Sequence, residues 1–201
     1  MINKYSDFYE FMLEDLPRCP EPLKLQQLKQ AFREFAFRTE NWTATLDKVN
    51  LVADQQDYTL RLPQDGLVKR LVWVNISDAA MPTNQYELRN EYSLRWKKTP
   101  VSYVPTYSLD DGLQVRVAMY PDWDSRTVDE NYFTRWGDAI LNLALYRLLM
   151  MPGKTWTHPE LAVQKKDIYD VFYNDAIKEK YTEGKSGSLS VNLRPVTRRF
   201  A

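Results

Sequence analysis

Cysteine and histidine are scarce in this chain of 201 residues, which contains one of each, Cys19 and His158. A single cysteine excludes a disulfide framework within the chain, and one cysteine with one histidine cannot build a Cys/His zinc site. His158 has no neighbouring serine, cysteine or paired carboxylate in the sequence, so no catalytic triad is recognisable. These absences favour synthesis in a reducing compartment and leave no nucleophile with an identifiable base.

An excess of one charge and a long apolar run are also missing. Lys plus Arg and Asp plus Glu number 27 each, so the net charge gives no reason to expect nucleic acid or an acidic substrate as a partner. The first residues do not place a basic segment before an apolar one, so no signal peptide is predicted. Asn142 and Arg147 interrupt the longest apolar run, which is shorter than the roughly 20 residues of a transmembrane span. We therefore expect no membrane partner.

Aromatic residues, in contrast, are abundant, at 13% of the chain with 6 Trp and 13 Tyr. A large core would use them, and so would an extensive protein–protein surface, where Trp, Tyr and Arg supply much of the binding free energy. The composition alone does not separate these two interpretations.

Apolar residues recur at helical spacing in four segments of the chain. Pro17 ends the first segment, and Thr127 opens the third, with Glu130 three residues later as in a capping box. The third segment is apolar nearly all round, so we expect it to lie centrally. The four predicted helices cover 5–16, Glu21–Thr39, 127 to about 150, and 159–181.

Between the second and third of these helices the apolar period changes from near 3.6 to two, which predicts β-strands. Asp111-Gly112 is the strongest hairpin signal and predicts a type I′ turn between strands at 106–110 and 113–119. The predicted fold class is therefore α+β: a helical bundle of about four helices, with an antiparallel β insert between helices two and three and an extended C-terminal tail.

We predict a single domain over 1–184, followed by a tail over 185–201. Within the domain, helices occupy 1–40, the β insert occupies 41–121, and a helical hairpin occupies 125–184. The change to a Gly- and Ser-rich composition after Gly184 marks the boundary between the domain and the tail.

The tail has no acidic residue, and its apolar residues alternate along the sequence. A chain terminus is commonly disordered, but an alternating segment can also fold on a partner by adding a strand to an exposed sheet edge. The tail is therefore the strongest candidate interaction element in the sequence. Its predicted binding residues are Leu189, Val191, Leu193, Arg194, Val196, Arg198, Arg199 and Phe200.

Residues 141–160 predict the end of one helix and the start of the next. Pro152 and Gly153 stop the first helix, and Thr157 is the predicted N-cap of the second, with Pro159 in its first turn. Gly153-Lys154-Thr155 resembles the end of a phosphate-binding loop, but position 148 is Leu where that loop requires Gly. We therefore interpret this segment as a structural motif that comprises Pro152, Gly153, Lys154, Trp156 and Pro159.

Asp122 and Asp124 are further candidate ligands for a cation. Two carboxylates without additional oxygen ligands are a weak metal signal, and aspartate is common in turns. The six tryptophans are not interleaved with a basic stripe, as stacking on nucleic acid would require. The sequence therefore predicts no cofactor, no metal and no catalytic residue.

Three motifs give the chain a resemblance to a known family. They are Ala31-Phe-Arg-Glu-Phe with Arg38 and Trp42; Tyr120-Pro-Asp before Tyr132 and Arg135-Trp136; and Arg147-Leu-Leu with Met151-Pro-Gly-Lys-Thr-Trp156 and Pro159-Glu-Leu-Ala162. The third motif is the most specific, although Thr155 stands where such proteins often have Pro. With these motifs and its order of elements, the chain resembles the head-to-tail adaptor (connector) proteins of tailed bacteriophages, especially those with short tails.

The resemblance implies a structural role in the virion neck, between portal and tail, and synthesis in the cytoplasm of a bacterial host. Such adaptors form a ring beneath the portal, with twelve copies to match it, and the ring extends the DNA channel and docks the tail nozzle and fibres. DNA would pass through the lumen without sequence-specific binding, and no enzymatic activity is implied. We expect the helical hairpin to build part of the ring contact and the tail over 185–201 to bind the portal.

Three other functions stay open at this point. Another neck or tail component, such as a tail-tube or nozzle protein, is hard to separate from an adaptor by sequence. A small nuclease or hydrolase would need a converging acid/base or metal cluster, which the sequence does not offer. A generic cytosolic binding module would also account for the chain if the resemblance is set aside.

Overall fold

The computed structural model describes residues 2–5, 8, 10–63, 66–98 and 102–183. These residues form ten strands, one short 3₁₀ helix and three α-helices. In chain order the elements are β1 (Ile2–Lys4), the 3₁₀ helix (Glu10–Met12), α1 (Glu21–Thr39), β2 (Thr43–Thr45), β3 (Val49–Leu51), β4 (Asp57–Thr59), β5 (Gly66–Ile76), β6 (Ala79–Ala80), β7 (Tyr86–Asn90), β8 (Ser93–Trp96), β9 (Leu109–Pro121), β10 (Thr127–Asp129), α2 (Glu130–Leu149) and α3 (Pro159–Glu183).

Strand β9 is the centre of the largest sheet, which is five-stranded and antiparallel. Along one edge β9 pairs with β5, and along the other it pairs with β2 and β3, while β6 extends the sheet beyond β5. Leu113, Val115 and Val117 are all buried, so every second side chain of this part of β9 enters the core. The sheet is therefore built around one long strand with an apolar inner face.

A second antiparallel sheet, β4–β8–β7, lies beside the first. A backbone hydrogen bond of 3.1 Å from the Val68 N–H to the Glu91 carbonyl joins the two sheets. The third sheet is a two-stranded ribbon in which β1 pairs with β10 immediately before α2. The first described residues are thereby held against the start of a helix that begins at Glu130.

The predicted helical bundle of about four helices with a β insert is wrong. The described residues contain three α-helices, and the strands between α1 and α2 form extensive antiparallel sheets that pack against α1. Two local patterns caused the error: the helical spacing of apolar residues over 5–16 and the Asp111-Gly112 pair.

In the described part of the predicted helix over 5–16, the 3₁₀ helix Glu10–Met12 is followed by turns over 13–15, so a continuous helix does not extend to Leu16. Tyr5, Met12 and Leu16 are buried, so the apolar pattern did mark core residues. A helix this short is marginal without tertiary support. Pairing of β1 with β10 holds residues 2–4, directly before this segment, in extended conformation.

The predicted hairpin turn at Asp111-Gly112 is also wrong, because β9 runs through both residues. Asp111 has a positive φ of 48°, and its N–H donates to the Asn50 side-chain oxygen at 3.0 Å. The pairing of β3 with β9 shifts register at this point, which is the mark of a β-bulge. A Cβ added to Gly112 would lie 2.7 Å from the Leu109 side chain, so the close approach requires glycine.

The other three predicted helices are confirmed, and α1 has the predicted bounds, Glu21–Thr39. The N-cap of α2 is Asp129, whose carboxylate accepts a hydrogen bond of 3.0 Å from the Tyr132 N–H. Thr127, the predicted cap, lies in β10 and pairs with Lys4. Because Thr127 is paired in β10, the N-cap of α2 lies two residues later than predicted, at Asp129.

The N-cap of α3 also differs from the predicted residue. The carbonyl of His158 accepts from the Ala162 N–H at 3.0 Å, and its Nδ1 accepts from the Leu161 N–H at 3.2 Å. Thr157, the predicted cap, has a hydroxyl that donates to the Met151 carbonyl and accepts from the Lys154 N–H. His158 is therefore a helix cap, and Thr157 closes the preceding turn.

Helix α1 connects the large sheet to the other two helices, since it contacts β9, α2 and α3. Phe32 and Phe35 are fully buried on its inner face. Their ring centroids lie 5.4–6.5 Å from those of aromatic residues in four other parts of the chain. This aromatic core comprises Tyr5, Phe32, Phe35, Trp42, Tyr132, Trp136 and Tyr169.

Candidate functional site

An open groove of about 490 Å³ lies where α1, the segment after β9 and the end of α2 come together. The three segments that carry the sequence motifs meet at this groove. Arg33 of the first and Arg147 of the third line it, and Tyr120 of the second contacts Arg33. We call it the α1 groove, and its lining residues are Gln30, Arg33, Glu34, Phe37, Trp123 and Arg147.

Arg33 organises one side of the α1 groove. Its guanidinium carbon lies 4.6 Å from the ring centroid of Tyr120 and 4.6 Å from that of Trp123. Its Nη1 donates to the Pro121 carbonyl at 2.6 Å. Cation–π contacts of this kind attract the positive charge to the ring faces. Trp123 is therefore held in place although 58% of it is exposed.

Glu34 forms the floor of the α1 groove through two ion pairs. Its carboxylate accepts from Arg147 of α2 and, at 3.0 Å, from Nη2 of Arg38 one turn further along α1. The Glu34 and Arg147 side chains are only about a quarter exposed, so this contact fixes α1 against α2. The floor is polar and charged, whereas the walls are aromatic.

Phe37 forms the far wall of the α1 groove and is 44% exposed. The Tyr120 ring meets it edge-on at a centroid distance of 5.2 Å, and Lys69 Nζ lies 3.8 Å from its centroid. Burial, followed by a hydrogen bond to Glu91, raises the pKa of Tyr120 to about 12, so its hydroxyl stays protonated and donates at neutral pH. Phe37 and Trp123 are thus exposed aromatic rings with fixed positions.

The α1 groove has the composition of a binding surface. Exposed Trp and Arg held in fixed conformations are the residue types that dominate protein–protein binding energy. Within the described ranges, no group of three or more His, Cys, Asp and Glu side chains lies close enough to hold a metal ion. The exposed rings and the arginines of the groove fit contact with another protein surface.

Glu40 lies just beyond the groove and joins α1 to β5 and α3. Its carboxylate pairs with Lys69 at 3.1 Å, Arg70 at 2.9 Å and Lys180 at 2.8 Å, and its side chain is only 13% exposed. Burial alone would raise the pKa of Glu40, but hydrogen bonds from Lys180, Arg70 and Lys69 outweigh burial and lower it to about 2. Its three partners are distant in sequence, so no local pattern reveals this cluster.

The residues interpreted as a structural motif form the turn between α2 and α3. Pro152, Gly153 and Lys154 are exposed, and Gly153 has a φ of 68°, the left-handed conformation that favours glycine. Trp156 is half-buried against the core, and in the described part of the chain its buried Nε1 has no hydrogen-bond partner. Pro159 begins α3. These residues shape the turn, whereas Arg147 reaches the α1 groove.

The other candidate residues lie outside the lining of the α1 groove. Asp122 and Asp124 both line a second open pocket beside Ser125, and Asp122 accepts from the Trp123 N–H at 2.6 Å, as in a turn. Cys19 is buried, and burial raises the pKa of its thiol although Lys24 acts in the opposite sense. The eight predicted binding residues of the tail, and the whole of 185–201, lie outside the described residues.

Comparison with protein-family models gives no match, and comparison with curated proteins gives none either. Among the described helices, none combines the length and the apolar character that crossing a bilayer requires.

Proposed function

We propose that this chain is a head-to-tail adaptor of a tailed bacteriophage, which forms a ring beneath the portal and receives the tail. The observation that carries the proposal is the meeting of the three motif-bearing segments at the α1 groove, through Arg33, Tyr120 and Arg147. Residues of all three motifs thus meet at one groove, whose exposed rings, Phe37 and Trp123, lie directly beside motif residues in the sequence and suit protein binding. The proposed role is structural, with no catalytic step.

The distribution of exposed apolar residues supports assembly into a ring. Phe37 and Trp123 are exposed at the α1 groove, and Val163 and Val171 are exposed on α3. A closed ring of identical subunits joined head to tail needs two different surfaces on each subunit, one for each neighbour. The proposed ring has twelve copies, extends the DNA channel and docks the nozzle and fibres. A balance of 27 basic and 27 acidic residues suits a lumen through which DNA slides.

Co-sedimentation with purified portal protein and, separately, with purified nozzle protein tests this proposal. We expect the chain to sediment with the portal in the absence of nozzle, because an adaptor binds the portal directly. Binding to the nozzle in the absence of portal, with no binding to the portal, would instead identify a lower neck or tail-tube component. Binding to neither would contradict a role in the neck.

We propose further that the basic tail, 185–201, attaches the ring to the portal. Deleting 188–201 is expected to abolish co-sedimentation with the portal while leaving the thermal unfolding transition unchanged, because the buried apolar cluster is built from residues between Tyr5 and Ala176. A tail of the same composition in scrambled order separates the effect of charge from that of sequence. Normal attachment by the truncated protein would refute the assignment of the tail.

A further inference from the structure

The outer face of α3 carries an exposed ridge of alternating valine and aspartate. Val163, Asp167, Val171 and Asp175 follow one another at intervals of four residues, so they lie in one row along the helix. All four are exposed, and Val163 and Val171 expose 56% and 62% of their surface. We call this row the α3 ridge. The two valines give this face of α3 an apolar component that another protein surface can cover.

The α3 ridge faces away from the body of its own chain. Ala162, Tyr169 and Ala176 are the buried residues of α3. At 100° per residue they lie on the side of the helix opposite Val171. The ridge of one chain is therefore directed away from the core of that chain and is open to a different molecule.

The α1 groove and the α3 ridge are complementary in charge. The groove presents the guanidinium groups of Arg33 and Arg147 between the exposed rings of Phe37 and Trp123, and the Glu34 carboxylate on its floor is already paired with Arg147 and Arg38. Each guanidinium has five N–H donors, and the contacts described above use Nη1 of Arg33 and Nη2 of Arg147, which leaves donors for a carboxylate.

The spacing of the two valines is close to the length of the groove. Gln30 and Phe37, at the two ends of the lining from α1, are about 10 Å apart along the helix axis, and Val163 and Val171 are about 12 Å apart along α3.

We infer that the α1 groove of one copy receives the α3 ridge of the next copy in the ring. The inference rests on the proposed function, since it names the contact by which the ring closes. The valines of the ridge pack against Trp123 and Phe37, and Asp167, the carboxylate between the two valines, pairs with Arg33. Asp175 forms an exposed ion pair with Lys178 of its own helix. Because groove and ridge are different surfaces, the contact is head to tail, as ring closure requires.

Two substitutions of exposed residues test this contact in the full-length protein assembled on purified portal. Val171→Asp removes an apolar contact of the ridge, and valine and aspartate have similar helix propensities, so α3 is retained. Trp123→Asp places a negative charge in the groove. Each is expected to raise the protein concentration for half-maximal ring assembly about tenfold or more, as loss of an interface anchor does. Val52→Asp and Tyr107→Asp, at exposed positions elsewhere, are the matched controls and should leave assembly unchanged.

A crosslinking measurement gives positive evidence for the same contact. A chain carrying both Trp123→Cys and Val171→Cys, assembled on portal and mildly oxidised, is expected to give a ladder of covalently linked copies. Cys19 is buried, so it does not compete, and a chain carrying Val52→Cys with Val171→Cys should give no ladder.

These experiments distinguish failure of the groove–ridge contact from failure of the adaptor proposal. Wild-type assembly on portal, together with normal assembly of both aspartate variants and no ladder, would overturn the groove–ridge contact and leave the adaptor function standing. Failure of the wild-type protein to assemble on portal would overturn both.

Discussion

Replacing Phe32 with alanine is expected to lower the free energy of unfolding by about 3–5 kcal/mol, the range for truncating a fully buried phenylalanine. Phe32 has no exposed surface, and its ring centroid lies 6.1 Å from that of Tyr5, 5.4 Å from that of Trp42 and 5.4 Å from that of Tyr132. These neighbours come from different parts of the chain, so they cannot all move to fill the cavity. The loss is measured by urea denaturation at a protein concentration at which the variant and the wild type have the same oligomeric state.

Phe37→Ala is the matched control for this experiment, because it makes the same change in the same helix at a position that is 44% exposed. Its effect is expected to be about 1 kcal/mol or less. Equal losses for the two variants would mean that α1 does not present Phe32 to the core and Phe37 to the groove, and would contradict the described packing.

Replacing Glu40 with glutamine is expected to lower the free energy of unfolding at pH 7 by about 2–3 kcal/mol, allowing for the partial exposure of its partners. The substitution keeps the size of the side chain but removes the charge that holds Lys69, Arg70 and Lys180 together. The three cations are then left facing one another without a carboxylate. Glu14→Gln, at an exposed position, is the control and should have little effect.

The pH dependence of this difference provides a second measurement. The pKa of Glu40 is lowered from 4.5 to about 2 in the folded protein, so the unfolded chain takes up the proton first as the pH falls. The stability contributed by Glu40 is therefore complete above pH 4.5 and is lost progressively as the pH falls towards 2. Wild type and Glu40→Gln should converge over this range. A difference that stays constant down to pH 2 would contradict the ion-pair cluster.

The sequence predicted the helices correctly wherever the local apolar pattern and the tertiary packing agree. Apolar residues at helical spacing over Glu21–Thr39 become the buried face of α1, and its predicted bounds are confirmed. Over 5–16 the same kind of pattern marked buried residues correctly, but the described chain after Met12 is not helical. Residues 2–4, directly before this segment, form β1, and their sequence does not reveal a partner more than 120 residues away.

The misread turn at Asp111-Gly112 has a different physical origin. Both a type I′ turn and a β-bulge need residues that tolerate unusual backbone conformations, so the same dipeptide suits either. Whether the chain reverses or continues depends on β3 and β5 being present on both edges of β9, which is a property of the assembled sheet.

The sequence predicted only part of the candidate site. The motifs named the segments around Arg33, Tyr120 and Arg147 but did not show that these residues meet, because the segments are separated by the sheets and by α2. No sequence pattern indicated the Glu40 cluster, because charged residues are spread along the whole chain. A tryptophan directly after Tyr120-Pro-Asp, and an arginine between two buried phenylalanines of α1, are the features that point to the groove once the fold is known.

The most direct test of the adaptor proposal is the mass of the protein measured alone and after mixing with the purified portal protein that the proposal assigns to it. If the chain is an adaptor, mixing is expected to produce one discrete complex in which twelve copies of the 23.8 kDa chain add about 286 kDa to the mass of the portal. A chain whose mass is the same with and without portal, at concentrations where both are folded, would contradict the adaptor proposal.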